Sequence, residues 1–583
     1  MLLNLTDSKK NSFTEPTFIA ACFVLWLILF VRITKGLDLT DEMQYYGEIK
    51  GLIESGKLFS NDLFIQQSVY ILLFPVFYLY HLVFDFEGLV FFSRLLMAML
   101  SVAVFLYAYR KLIELKFSFA IASLTALALT FAILYHGVFA PSYNTISQFL
   151  WIVFTLRFYE WKKSSVFLWG IIPLITAFAH PTSAVMMALL IFVRLLVERE
   201  FKKIIELFLV FLGGGLIVSL IVFYFATPQE YLASLAFSSG YGVGTAFFSG
   251  KSQPITLFVI YAMFGIVYAT FGVNLLFRGC FHKLSFAWLT ISGTTAAIVL
   301  FLAGLARGAY TPRIIYVLSS LSALVYGWSL SNTPEDNIKF KVQIHWLIVL
   351  LLGYATTIGV TSSNGIGQST GAFMVGLPLL LGIAVNSAPN RKTTDDFLKL
   401  ICPILLVILY IAHWSRYPYR ENVWWKTNQP IQSVPEFKFI STSQDRIEFI
   451  QRMKQELQPI VQDKSTLIIS EFPVLYFVLN AHTETCMLYM HSLTSDKSEK
   501  ALLNCFINKN PEIIVDIFVN NDIAQENSRI KNALRNYYFQ SDFVCTVKSI
   551  KFSSVTKQNP AILKYYVCYN KDFLNLKNWD KNK

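Results

Sequence analysis

From Thr17 to Trp414 the chain repeats one pattern, apolar runs of about 15 to 24 residues separated by short polar loops, each run long enough to cross or nearly cross a ~30 Å hydrocarbon core. The pattern predicts an α-helical polytopic membrane unit over residues 1–414. Over residues 415–583 the long runs stop, and shorter patterns predict a small α/β unit. Thr466 to Ser470, Ile513 to Phe518, Phe543 to Phe552 and Lys564 to Tyr569 read as strands. Asp445 to Leu457 reads as an amphipathic helix with Ile447, Ile450 and Leu457 on one face, and Phe472 to Leu479 as a short helix.

Loop charge orients the spans. Lys9-Lys10, Arg110-Lys111, Lys162-Lys163, Lys202-Lys203, Arg278, Lys339 and Arg391-Lys392 mark cytoplasmic loops, and the segments between them, poorer in Lys and Arg, fall on the outer side. The apolar stretch from Ser68 to Phe84 conflicts with this alternation. Only Asp85-Phe86-Glu87-Gly88 separates it from the run starting at Leu89, so two crossings there would turn Arg110-Lys111 outward. Reading it as a helix lying at the outer interface gives about thirteen spans, with the N-terminus in the cytoplasm and the C-terminal unit outside.

Composition agrees: 55% of the 583 residues are hydrophobic, 15% are charged, and mean hydropathy is +0.51. The net charge of +12 sits in short loops beside spans, which argues for a lipid bilayer and against nucleic acid as its partner. The first apolar run begins after about sixteen mostly polar residues and lacks a small-residue cleavage site, so it reads as a span and not as a cleaved signal. Cys486, Cys505, Cys545 and Cys568 lie in the C-terminal unit. In an oxidising compartment four cysteines allow three connectivities, of which Cys486 with Cys505 and Cys545 with Cys568 is preferred over buried thiols.

Several motifs carry little. Gly244 to Ser252 resembles a phosphate-binding loop but has five residues between its glycines where the motif has four. No HExxH or CxxC pattern suggests a metal, and no cofactor is expected. His180-Pro181 reads as a helix end or kink, and Gly213-Gly214-Gly215 as a close helix contact.

The informative stretch is Leu37 to Tyr46. Asp41-Glu42 stands just beyond the first span and opens a helix whose Met43, Tyr46, Ile49 and Ile53 fall at helical spacing. Asp41 with Gln44 makes a plausible capping box, and Asp41 is a good N-cap in its own right. A carboxylate held at a membrane surface can also deprotonate a hydroxyl. Both roles stay open at this point.

An outer first loop with Asp41-Glu42, the following Tyr45, an amphipathic helix, Glu54-Ser55-Gly56-Lys57-Leu58, a second interfacial helix and Arg94 at the start of the next span resembles the GT-C glycosyltransferases. The nearest branch is the protein mannosyltransferase and aminoarabinose transferase group. The resemblance implies a sugar donor on a polyprenyl phosphate and a glycan, lipid or protein acceptor, at the outer face of a bacterial inner membrane. Asp41 would be the base, Glu42 would position a substrate, and Arg94 would match the family's outer arginine on the donor phosphate. Displacement at the anomeric carbon inverts configuration and needs one base, while the leaving phosphate needs cations more than an acid. Arg307 and Arg313 are the best outward cations for it, and Tyr45, His136, Tyr143 and Asn144 are candidates for substrate contact. The Lys-Pro-Pro element of aminoarabinose transferases is replaced by Ile65-Gln66-Gln67-Ser68-Val69, which leaves sugar and acceptor open, lipopolysaccharide included. Two rival classes are an envelope polysaccharide polymerase or ligase, which emphasises a large late loop, and a secondary transporter, which shows repeats and ionisable groups deep in its spans.

Overall fold

The computed structural model describes residues 16–132, 139–159, 165–242, 338–361, 370–387, 421 and 424–570, the last stretch with breaks at 471, 481, 484–485, 487, 489–495, 510, 520–542 and 553–560. It is mostly helical. The chain forms α1 (Pro16–Thr34), α2 (Asp41–Ser55), α3 (Val69–Phe84), α4 (Leu89–Glu114), α5 (Phe119–Ala132), α6 (Tyr143–Tyr159), α7 (Val166–Ala179), α8 (Pro181–Val197), α9 (Phe201–Phe225) and α10 (Pro228–Gly242). After a long undescribed interval come α11 (Ile338–Thr361) and α12 (Thr370–Ser387). Among the described residues, four helices are long and apolar enough to cross a membrane: α1, Ile65–Phe84, α4 and α9. Shorter apolar helices cover Phe119–Thr130, Val166–Ala179, Pro181–Val197 and Trp346–Thr357, while the spans expected within 243–337 and 388–420, along with the glycine-rich stretch from Gly244, lie outside the described residues.

The stretch expected at the interface, Ser68 to Phe84, lies within Ile65–Phe84, which qualifies as a span by length and composition. Its surroundings decide how it can run. Arg94, in the second turn of α4, donates to the carbonyls of Arg32 and Lys35 at 3.4 Å and of Gly36 at 2.9 Å, at the end of α1. The end of α1 and the start of α4 therefore lie at one level. If both helices cross, a single crossing between them is excluded, and α2 is too polar to supply a second.

The C-terminal part holds β1 (Gln429–Pro430), β2 (Ser441–Thr442), α13 (Gln444–Val461), β3 (Ser465–Ile469), α14 (Val474–Val478), β4 (His482–Thr483), α15 (Asp496–Lys509), β5 (Ile513–Val519), β6 (Phe543–Phe552) and β7 (Ala561–Asn570). Five strands form one sheet in the order β4-β3-β5-β7-β6. β3 runs parallel to β4 and β5, and β7 is antiparallel to β5 and β6. The apolar runs of β3 and β5 are buried, as central strands require, and α13 covers the sheet with Phe449, Ile450, Met453 and Leu457.

Cys486 is bonded to Cys505 and Cys545 to Cys568, the preferred pairing. The second pair joins directly opposed positions of β6 and β7. Closing chain intervals of 19 and 23 residues restricts the unfolded chain, so each bridge contributes about 3 kcal/mol in the chain-entropy picture. A peptide map of the unreduced protein is expected to recover both linked pairs, with Cys22 alkylated; scrambled or free thiols in the C-terminal unit would contradict it.

This unit packs on the end of α1 and the start of α4. The Gly36 N–H donates to the Ser441 carbonyl at 2.7 Å, the Gly88 N–H to the Pro435 carbonyl at 2.9 Å, and the Val474 N–H to the Leu39 carbonyl at 3.3 Å. Buried Glu421 accepts the Leu37 N–H at 3.1 Å and the Ser443 hydroxyl at 2.7 Å. The first loop and the C-terminal sheet are thus on one side, at the opposite end of α4 from Lys111.

Candidate functional site

α2 is a short helix with two polar faces, and the sequence explains both ends. Asp38 organises the start: its Oδ1 accepts the Thr40 N–H at 3.1 Å and the Thr40 hydroxyl at 2.7 Å, and its Oδ2 accepts the Glu42 N–H at 2.9 Å. Gly56, in the left-handed region at φ 66°, ends the helix and returns its N–H to the Leu52 carbonyl at 2.9 Å. This corrects the capping expectation. Thr40 occupies the N-cap position but its hydroxyl does not cap the helix, Asp41 is the first helical residue, and Asp38 accepts the Glu42 N–H at the helix start.

The first polar face is closed. Both Glu42 oxygens are held by Arg94, whose Nε reaches Oε1 and Nη2 reaches Oε2, each at 2.7 Å, and the Tyr46 hydroxyl donates to Oε1 at 2.8 Å. Both charged side chains are about 4% exposed or less. Burial, followed by the adjacent Glu42 carboxylate, pushes the Tyr46 phenol well above its ordinary range, which keeps it a donor. Carbonyls take the other N–H groups of Arg94, and both side chains are buried, so a phosphate or substrate would have to displace these bonds to reach either. Arg94, expected on the donor phosphate, and Glu42, expected to position substrate, are instead the joint between α1, α2 and α4.

Asp41, Gln44, Tyr45 and Glu48 make the second face, with helical spacings of three and four. Asp41 and Gln44 are partly accessible there. The Asn144 Nδ2 donates to the Tyr45 hydroxyl at 3.4 Å, and the Tyr143 ring stands edge-on to Tyr45 at 6.0 Å. Tyr143 in turn lies over His180 at 6.5 Å. His180 caps α8 as a helix end should: its Nδ1 accepts the Ser183 N–H at 3.3 Å, which assigns the ring proton to Nε2. Tyr45, Tyr143 and Asn144, expected to contact substrate, are thus brought together beside Asp41. Burial, then the neighbouring Tyr143 and the Asp41 charge, push the Tyr45 phenol well above its ordinary value, so it stays neutral.

Deeper on the same face, Gln44 Nε2 bridges two buried carboxyls, donating to Glu48 Oε1 at 2.9 Å and Asp62 Oδ2 at 3.2 Å. Burial, then the nearby Asp62, push Glu48 well above the carboxylate range. Burial pushes Asp62 up to about 7, against the opposing hydrogen bonds it accepts. Asp62 carried no motif. Glu48 had a signal, its place three residues after Tyr45 on the polar stripe, which the search for apolar spacing passed over.

His136, Arg307 and Arg313 lie outside the described residues, as does the polar loop Ser362 to Gln368. Comparison with known proteins returns no matching family model, no matching curated protein and no matching solved structure.

Proposed function

We propose that the chain is an inverting glycosyltransferase of the GT-C type, moving a sugar from a polyprenyl-phosphate donor to a hydroxyl of an envelope glycan, lipid or protein acceptor at the outer face of a bacterial inner membrane. One observation supports it above the others: of the acidic pair, Glu42 is locked in a buried ion pair while Asp41 stays partly accessible on a face lined by Tyr45, Tyr143 and Asn144. That face offers a carboxylate base beside neutral phenols and an amide, groups suited to sugar hydroxyls.

In the proposed reaction the acceptor hydroxyl attacks the anomeric carbon, Asp41 takes its proton, and the bond to the polyprenyl phosphate oxygen breaks on the opposite side with that oxygen keeping the electron pair. The transfer balances without an added cofactor. With Arg94 engaged elsewhere, Arg307 and Arg313 are the cations proposed for the leaving phosphate. The proposed topology has about thirteen spans, the N-terminus cytoplasmic and the C-terminal unit outside, as loop charge asks.

Mass spectrometry of lipid-linked sugars and envelope glycans in a deletion strain tests the reading. Loss of one glycan unit with accumulation of its polyprenyl-phosphate donor is expected. Intact glycans with altered solute uptake would favour a transporter, and shortened polymers with an unchanged unit a polymerase or ligase.

A further inference from the structure

The Glu48 and Asp62 carboxyls join two parts of the chain that are far apart in sequence. Asp62 follows α2 in a loop that returns along the helix, and each of its oxygens is bonded. Oδ1 accepts the Phe64 N–H at 3.1 Å, while Oδ2 accepts the Leu488 N–H at 3.2 Å beside the Gln44 bond. The Leu63 N–H donates to the Cys486 carbonyl at 3.1 Å, and Lys509 Nζ donates to the Ser60 carbonyl at 3.1 Å. Cys486 is tied by its disulfide to Cys505 on α15, the helix that also carries Lys509. The contact is close: a Cβ on Gly47 of α2 would stand 2.9 Å from the Leu488 side chain.

Glu48 is 5% exposed and Asp62 fully buried. Among the described residues, Gln44 and Tyr45 from α2 and Tyr70 from α3 face the pair, all neutral, with Asp41 and Tyr143 standing beyond them against Tyr45. The Tyr70 hydroxyl is buried close to Glu48 without a hydrogen bond of normal geometry. Lys50, the cation on α2 itself, is turned to Glu436 at 2.8 Å, and Lys509 is on a backbone carbonyl. Among the described residues no cation pairs with either carboxyl, and two carboxylates so placed cannot both stay ionised.

We propose that the buried Glu48 and Asp62 pair keeps at least one proton, and that this protonation fastens the polar face of α2 to the chain at Cys486 and Leu488. The pair then acts as the positioning element for Asp41, a role that rests on the transfer reaction proposed above. Docking is proton-linked. Undocked, both carboxyls meet water and ionise near their ordinary value of about 4; docked, Asp62 holds its proton to about 7 and Glu48 holds its own beyond the carboxylate range. The docked form thus binds more protons, and docking weakens as pH rises from about 4 through about 7 and onward while Glu48 still holds its proton. One proton on the pair also lowers the charge of the face, so an anionic donor meets two negative charges there, Asp41 and one of the pair, and not three.

Hydrogen exchange of the Leu63 and Leu488 amides in the full-length protein in detergent tests this without any substrate. After correction for intrinsic exchange, protection is expected to fall about tenfold per pH unit for each linked proton between about pH 5 and pH 8. The double variant Glu48→Gln/Asp62→Asn, which keeps the shape but only one acceptor oxygen at each position, is expected to lose the pH slope whatever its absolute protection. Flat protection in the unaltered protein, or an unchanged slope in the double variant, would overturn the proposal; the first holds even if the variant fails to fold. A proton-linked contact in a strain with unaltered glycans would leave the pair standing and remove transfer.

Discussion

Replacing Arg94 with alanine is expected to destabilise the protein by about 3–5 kcal/mol, because Glu42 would be left as a buried, unpaired carboxylate. The loss goes beyond the ion pair. Arg94 also closes carbonyls at the end of α1, and Tyr46 shares the Glu42 oxygen, so α1, α2 and α4 lose one common joint. Arg94→Lys should recover only part, since an ammonium cannot fork across two carboxylate oxygens while reaching the Gly36 carbonyl. Thermal unfolding in detergent, followed by intrinsic fluorescence, gives the order unaltered protein, Lys, Ala. An Arg94→Ala protein as stable as the parent would show that the pair does not hold these helices together.

Asp41→Asn is expected to behave in the opposite way, leaving folding and membrane insertion intact and reducing transfer by about 10² to 10⁴, the usual worth of a positioned base. The structure makes this substitution cleaner than sequence alone suggests. Since Asp38 satisfies the start of α2, Asp41 can lose its charge without uncapping the helix. Asp38→Ala provides the contrast, with an expected cost of about 0.5–2 kcal/mol for the lost capping bonds. Complementation of the deletion strain, scored by recovery of the missing glycan, reads out Asp41→Asn. Full recovery would remove Asp41 as the base.

These two outcomes turn on a distinction that helix geometry contains. Consecutive residues on an α-helix point about 100° apart, so an acidic pair at a helix start serves two different neighbourhoods. Reading Asp41 and Glu42 as partners at one substrate missed this. Which carboxylate caps the helix was not legible, because Thr40 takes a backbone conformation no propensity specifies, and that turn hands the capping bonds to Asp38. Asp62 was invisible for another reason, since it reaches Glu48 only through a loop whose path depends on Leu488. The C-terminal strands were legible, since buried runs such as Ile513 to Phe518 leave few alternatives at that length. Loop charge and length disagree on Ile65–Phe84, which qualifies as a span by composition and joins two helix ends that Arg94 places together.

The docking of the C-terminal unit on the first loop has a consequence for biosynthesis. Leu37 meets Glu421 across 384 positions, and Asp62 meets Leu488 across 426. At roughly 5 to 20 residues per second, a ribosome needs about 20 to 85 seconds to travel from one member of the second contact to the other. During that interval α2 is already made while the surface that shelters its polar face is not. A nascent chain therefore carries an unfinished, protease-accessible loop for most of its synthesis, and a product truncated before Leu488 should be cleared and not accumulate half-built.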